Sequence, residues 1–136
     1  MNDTKLLINN QDVNASNNRT FERKNPVTGE VATVAAAANA ADARKAADAA
    51  AAAFPEWSKM GPGARRKILL KAADIMEAKG DQFGQLVLDE TGSTRMWGGF
   101  NAHLAANMLR EAGGMTTQIQ GDVIPSDTPG LMAMGI

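Results

Sequence analysis

The sequence predicts a chain in which β structure comes first and helix second. It begins with an N-terminal β unit, continues with three to four helices, and finishes with the start of an extended strand. Three observations carry this. Residues 1–38 are short apolar or alternating runs broken by Asn, Pro and Gly; from Asn39 onward apolar residues recur at helical spacing in an alanine-rich background; and the chain closes on the uncharged run Leu131 to Ile136.

Each element follows from local chemistry. Lys5 to Ile8 is an apolar run ending at Asn9-Asn10 and reads as a strand. Asn14 to Arg19 is polar and turn-forming. Thr20 to Arg23 is a second strand, and Asn25-Pro26-Val27-Thr28-Gly29 is a turn, because Pro26 fixes φ and Gly29 tolerates positive φ. Val31 to Val34 is the third strand of what reads as a small antiparallel unit. A unit of that size is marginal alone in water, so it is expected to lie against a larger body.

Asn39 is a helix cap, and Asp42 places a carboxylate at the positive end of the first helix. That helix is expected to stop at Pro55, which cannot continue the ladder. Pro62 opens a second helix, with Ile68, Ala72, Ile75 and Met76 at helical spacing and Arg65, Arg66, Lys71 and Lys79 towards solvent. Gly80-Asp81 is expected to interrupt it, with a short helix from Gln82 to Glu90 closed by Thr91-Gly92. The last long helix runs from about Thr94 to Ala112, where Gly113-Gly114 marks a weak point. Gly121 to Asp127 reads as a loop before the terminal run. The domains expected are 1–38, the β unit; 39–121, the helical part; and 122–136, the start of a strand. The apolar end with nothing after it to bury it suggests an N-terminal piece of a longer protein.

Composition excludes several classes. The chain has 136 residues, a net charge of −1 and no cysteine. That gives no basic surface for nucleic acid, no disulfide, no thiolate metal site and no cysteine nucleophile within this stretch. No run approaches the roughly 20 apolar residues of a membrane span, and the N-terminus lacks the apolar core of a signal peptide. A cytoplasmic location with no membrane partner is the expectation. Hydrophobic residues are 44% of the chain, but only six are aromatic: four Phe, two Trp and no Tyr. Such a core is thin, and the helices are expected to pack closely against something larger.

Most motifs fail on inspection. His103 is the only histidine, too few for a His/Cys/carboxylate zinc cluster, and no Gly-x-Ser-x-Gly elbow is present. Gly61-Pro62-Gly63 lacks the third glycine of a dinucleotide fingerprint and reads as a helix start. Arg65-Arg66-Lys67 reads as a solvated helix face rather than an anion site. Trp97, Phe100, Leu104 and Met108 step by three, four and four onto one helix face. That spacing leaves two readings open: core residues, or the wall of an apolar pocket.

Several strings, in register over nearly the whole chain, resemble the N-terminal part of the NAD(P)-dependent aldehyde dehydrogenase superfamily. They are Leu7-Ile8-Asn9-Asn10, Phe21 to Val31, Ala52-Ala53-Phe54-Pro55-Glu56-Trp57, Arg65 to Asp74, Glu90-Thr91-Gly92 and Gly121 to Asp127. Ser93 stands where that family usually has lysine after Glu-Thr-Gly. Met96 to His103 and Thr117 to Gly121 are similar to the branch acting on aromatic aldehydes, the salicylaldehyde and vanillin dehydrogenases.

The resemblance implies an α/β parent fold, NAD or NADP as cofactor, an aromatic aldehyde as substrate and a homo-oligomer, dimer or tetramer. It implies that Trp97, Phe100 and Leu104 line a substrate tunnel. It implies that Lys24 and Glu90 stand near a structural cation, and that residues 122–136 start an oligomerisation strand. The family's catalytic cysteine, asparagine and glutamate and its glycine-rich cofactor loop match no position here, so this chain alone is expected to bind no cofactor and to be inactive. Two rivals stand beside this reading: a non-catalytic helical interaction module derived from the family, and a small hydrolase using Ser93 or Ser126 with His103.

Overall fold

The computed structural model describes residues 2–135. Seven strands and four helices follow in order: β1 Asn2–Thr4, β2 Leu6–Ile8, β3 Gln11–Val13, β4 Thr20–Lys24, β5 Val31–Ala36, α1 Ala40–Lys59, α2 Pro62–Ala78, α3 Gly80–Thr91, α4 Arg95–Met115, β6 Asp122–Ile124 and β7 Ala133–Gly135. The α/β character and the order of β unit, helices and final strand agree with the sequence reading.

The β unit differs from the antiparallel one expected. β5 is central, antiparallel to β4 but parallel to β1, and β2 pairs with β3 as a separate hairpin. The missed strand β3 follows a two-residue turn of Asn9 and Asn10, with φ of 52° and 57°. Positive φ at both positions is the tight-hairpin signature that asparagine tolerates. The 25–29 turn forms as expected. Asn25 Oδ1 accepts from the Val27 and Thr28 amides at 2.8 and 3.2 Å, and Gly29 takes φ 76°.

α1 begins on a full capping box. Asn39 Oδ1 accepts from the amides of Ala41 and Asp42, and Asp42 Oδ2 accepts from the Asn39 amide at 3.1 Å. Asp42 also accepts the Ser16 amide, at 3.1 and 3.2 Å, which ties the helix start to the 14–18 turn. These amide donors, Asn39 first, hold the Asp42 carboxyl below its ordinary value. Pro55 does not end the helix, which continues to Lys59. Proline removes one ladder bond, and only one turn follows it.

The break between α2 and α3 falls at Lys79 (φ −99°, ψ 11°), so Gly80 and Asp81 open α3 instead of separating the helices. α3 ends at Gly92, with φ 69°. A Cβ there would stand 2.9 Å from Val27 Cγ2 and 3.0 Å from Pro26 Cγ, so the position needs both the left-handed backbone and the missing side chain. Gly113 and Gly114 lie inside α4, which ends at Met115, three residues beyond the end expected. Asp122 to Ile124 is a strand, not a loop: β6 pairs antiparallel with β7.

The core is a seam of small residues. Ala73 and Ala106 are fully buried and Ala102 nearly so. Gly84 and Gly98 bring α3 and α4 together so closely that a Cβ on Gly98 would lie 2.7 Å from Gly84 Cα. Ile68 and Ile75 of α2, expected to face inward, are each 47% exposed, because Ala73 occupies the contact with α4. The accessible surface is 10247 Å², whereas a compact protein of 14.3 kDa exposes about 6,800 Å². The excess is apolar in good part, since large hydrophobic residues on α1, α2 and α4 stand open. Among the described residues, no helix is long and apolar enough to cross a membrane.

Candidate functional site

α4 is inverted relative to an ordinary amphipathic surface helix, with its small residues inside and its large apolar residues outside. Gly98, Ala102, Ala106 and Gly113 are buried. Trp97, Phe100, Leu104 and Met108 are 54, 50, 44 and 65% exposed. The expectation that these four share one face holds, and within this chain that face stands open. Small residues win the interior because only they allow the close approach of α3 and α2, which leaves the bulky ones outward.

The outward face is ordered. The Trp97 and Phe100 rings stack, with centroids 5.4 Å apart and planes 25° apart. That offset arrangement is favourable for aromatic pairs. Thr94 Oγ1 accepts the Trp97 amide at 3.2 Å and so caps the helix, and Asn101 Nδ2 donates to the Trp97 carbonyl at 2.8 Å. The result is a rigid aromatic shelf extended by Leu104. Chemically it offers stacking and dispersion to a flat apolar group. It offers no nucleophile and no general base.

His103 lies on the flank of α4, away from the shelf. Its Nδ1 is 3.3 Å from Glu77 Oε1 and its Nε2 is 3.0 Å from Asn107 Nδ2. The arrangement suits a neutral ring that donates from Nδ1 and accepts at Nε2. Arg110 joins the same cluster, donating to Glu77 and, at 3.0 Å, to Asp74. The Arg110 hydrogen bond and charge hold the Glu77 carboxyl below its ordinary value. Among the described residues no hydrogen bond joins His103 to Ser93 or Ser126, and Ser126 Oγ instead accepts the Thr128 amide at 3.2 Å. The Ser–His reading has no geometry here.

Lys24 closes β4 and pairs with Val31. Glu90, at the end of α3, has both carboxylate oxygens engaged: Thr33 Oγ1 donates to Oε1 at 2.7 Å and the Arg23 guanidinium lies 3.2 Å from Oε2. The positive charge next to Glu90 is therefore a protein side chain. Among the described residues no group of three or more His, Cys, Asp or Glu is placed to hold a metal ion.

Gly61 serves as the N-cap of α2 and Pro62 opens it, the helix start expected of Gly61-Pro62-Gly63. Arg65 and Arg66 are not a solvated face. Arg65 donates to the Trp57 and Ser58 carbonyls at 3.2 and 3.0 Å, and Arg66 reaches the end of α4. Sequence reasoning missed these helix-end roles and the Arg23–Glu90–Thr33 bridge. The Arg66 contacts and the bridge depend on partners distant in the chain, and the Arg65 contacts on the turn between α1 and α2. The inner seam did leave a signal: Gly98, Ala102 and Ala106 recur every four residues.

Comparison with known proteins places this geometry. Vanillin dehydrogenase from Pseudomonas sp. is 53% identical over 131 residues, covering 96% of this chain and 27% of that protein. Salicylaldehyde dehydrogenase from Pseudomonas putida, solved in complex with salicylaldehyde, superposes with a TM-score of 0.95 at 47% identity, over 98% of this chain and 28% of its own. An NAD-dependent benzaldehyde dehydrogenase from Corynebacterium glutamicum gives a TM-score of 0.85 at 31% identity, over 93% of this chain and 28% of its own. The chain thus spans about 27% of the length of the curated relatives it matches. The profile of the aldehyde dehydrogenase family matches residues 13–135, and the chain belongs to that family.

Proposed function

We propose that this chain is the N-terminal segment of an NAD(P)-dependent dehydrogenase that oxidises an aromatic aldehyde to the carboxylate. The single observation that carries the reading is the stacked, half-exposed Trp97–Phe100 pair, continued by Leu104, on the outward face of α4. Such a face suits one wall of a tunnel for a flat ring, with dispersion and stacking as its contribution. The likeness to vanillin, salicylaldehyde and benzaldehyde dehydrogenases points the same way. NAD or NADP would accept the hydride. None of the residues described above holds it or performs the chemical step.

The division into 1–38, 39–121 and 122–136 belongs to the same proposal. Its support is the change from strand to helix between Ala36 and Ala40, and from helix to hairpin after Met115. The β6–β7 hairpin, with Val123, Ile124 and Met134 open, is assigned to a contact between subunits of a homo-oligomer. A structural cation near Lys24 and Glu90 belongs to the same proposal, beside a Glu90 carboxylate that Arg23 and Thr33 already hold in place.

The test is a substrate panel on the intact protein, with NAD and NADP supplied in turn. Benzaldehyde, salicylaldehyde and vanillin should be oxidised with higher kcat/KM than aliphatic aldehydes of similar size. Preference for the aliphatic set would remove the aromatic assignment. The rival interaction module predicts no turnover of any aldehyde. It also predicts that the 136-residue chain is monomeric on gel filtration and melts cooperatively. Open apolar faces on α1, α2 and α4 argue for association or loose packing instead.

A further inference from the structure

α4 ends on weak residues. Gly113 and Gly114 fall in its last turn, and that turn has no basic residue of its own. Steric need explains neither glycine. A Cβ at Gly114 would meet nothing within 4 Å, and one at Gly113 would make only ordinary contact, the nearest atom being Leu70 Cδ2 at 3.5 Å. Glycine is among the poorest helix formers, so this turn should fray if left to itself.

Besides its own cap, Thr116, it is held from a second helix. Arg66, in the first turns of α2, donates from Nε to the Gly113 carbonyl at 3.0 Å. Its NH2 group donates to the Gly114 carbonyl and to Thr117 Oγ1, both at 3.2 Å. The Gly113 carbonyl also accepts from Thr116, through its hydroxyl at 2.9 Å and its amide at 3.5 Å; the same guanidinium adds a third donor there, serves the Gly114 carbonyl and brings positive charge to the negative end of the helix.

We infer that Arg66 is a latch: it keeps the glycine-rich last turn of α4 helical and thereby fixes the direction in which residues 117–135 leave the helix. The inference does not depend on the aldehyde reading. It does connect two parts of the molecule, because the same helix carries the Trp97–Phe100 shelf at one end and leads to the β6–β7 hairpin at the other. The planar fork matters, since three acceptors in different directions suit guanidinium and not a single ammonium.

Hydrogen–deuterium exchange on the intact protein tests it, with rates corrected for intrinsic sequence effects. Arg66→Gln should speed exchange at residues 113–118 about tenfold while leaving 98–106 protected. Arg66→Lys should recover only part of the protection. Adding Gly114→Ala to Arg66→Gln should restore much of it by stiffening the turn. Unchanged exchange at 113–118, a uniform rise along the whole of α4, or full recovery with lysine would overturn the latch. If Arg66→Gln does not fold, Gly114→Ala in the otherwise native protein decides the matter. It preserves every Arg66 contact and should slow exchange at 113–118, and no slowing would contradict a turn that needs external support.

Discussion

The two faces of α4 have opposite composition and opposite duties. The inner face is glycine and alanine, buried against α2 and α3. The outer face is Trp97, Phe100, Leu104 and Met108, each 44 to 65% exposed. On the inner face backbone meets backbone, so substitution there changes volume where none is free. On the outer face the side chains are half open to solvent, so substitution should alter what the face meets more than it disturbs the fold. Hydrophobicity alone would assign the faces the other way round. Packing distance settles it.

The largest effect should come from the inner face. Gly98→Val places side-chain atoms against Gly84, where even a Cβ would lie 2.7 Å from Cα. Backbone cannot step aside as a flexible side chain can, and a loss of about 3 kcal/mol is expected. Thermal unfolding of the intact protein reads it. A midpoint equal to that of the native protein would mean that the helices do not approach as described.

On the outer face the effect should be kinetic. Phe100→Ala removes one ring of the stacked pair and should raise KM for aromatic aldehydes roughly fivefold, near the ~1 kcal/mol that aromatic pairing contributes. KM for a short aliphatic aldehyde should move less. Equal changes for both substrates would take the ring out of the recognition surface.

The smallest effect lies on the flank between the faces. Glu77 bridges α2 to α4 through Arg110 and His103. Its carboxyl is lowered in the folded state, first by the Arg110 hydrogen bond. A lowered carboxyl contributes stability fully above its unfolded value, about 4.3, and loses it as pH falls through the folded value. Glu77→Gln should therefore lower stability slightly at neutral pH and flatten the acid limb, as seen in melts between pH 7 and pH 3. An acid limb unchanged in the variant would remove Glu77 from the linkage.

What was legible in the sequence was local. The Asn39 cap, Pro62 at a helix start, Gly29 in its turn and Gly92 at the end of α3 each state their conformation through one residue's chemistry. The shared face of Trp97, Phe100 and Leu104 was legible too, because helical period is local. Which way that face points was not. It depends on Gly84 meeting Gly98 across a helix pair, and the period of a single helix does not relate residues on two helices. The parallel pairing of β1 with β5 was hidden for the same reason, its partners lying about thirty residues apart. Arg66 looked like one more exposed charge because its acceptors are 47 and 48 residues away. Family resemblance supplied the tunnel assignment of Trp97, which spacing left open between core and pocket.

The most direct test pairs stability with kinetics in one variant, Trp97→Ala of the intact protein. Trp97 is 54% exposed, so its loss should shift the thermal midpoint by no more than a typical surface change, within about 0.5 kcal/mol. The same change should raise KM for salicylaldehyde or benzaldehyde about tenfold. A lowered midpoint with KM unchanged would instead make the outer face of α4 a packing surface, and would contradict its role as a substrate wall.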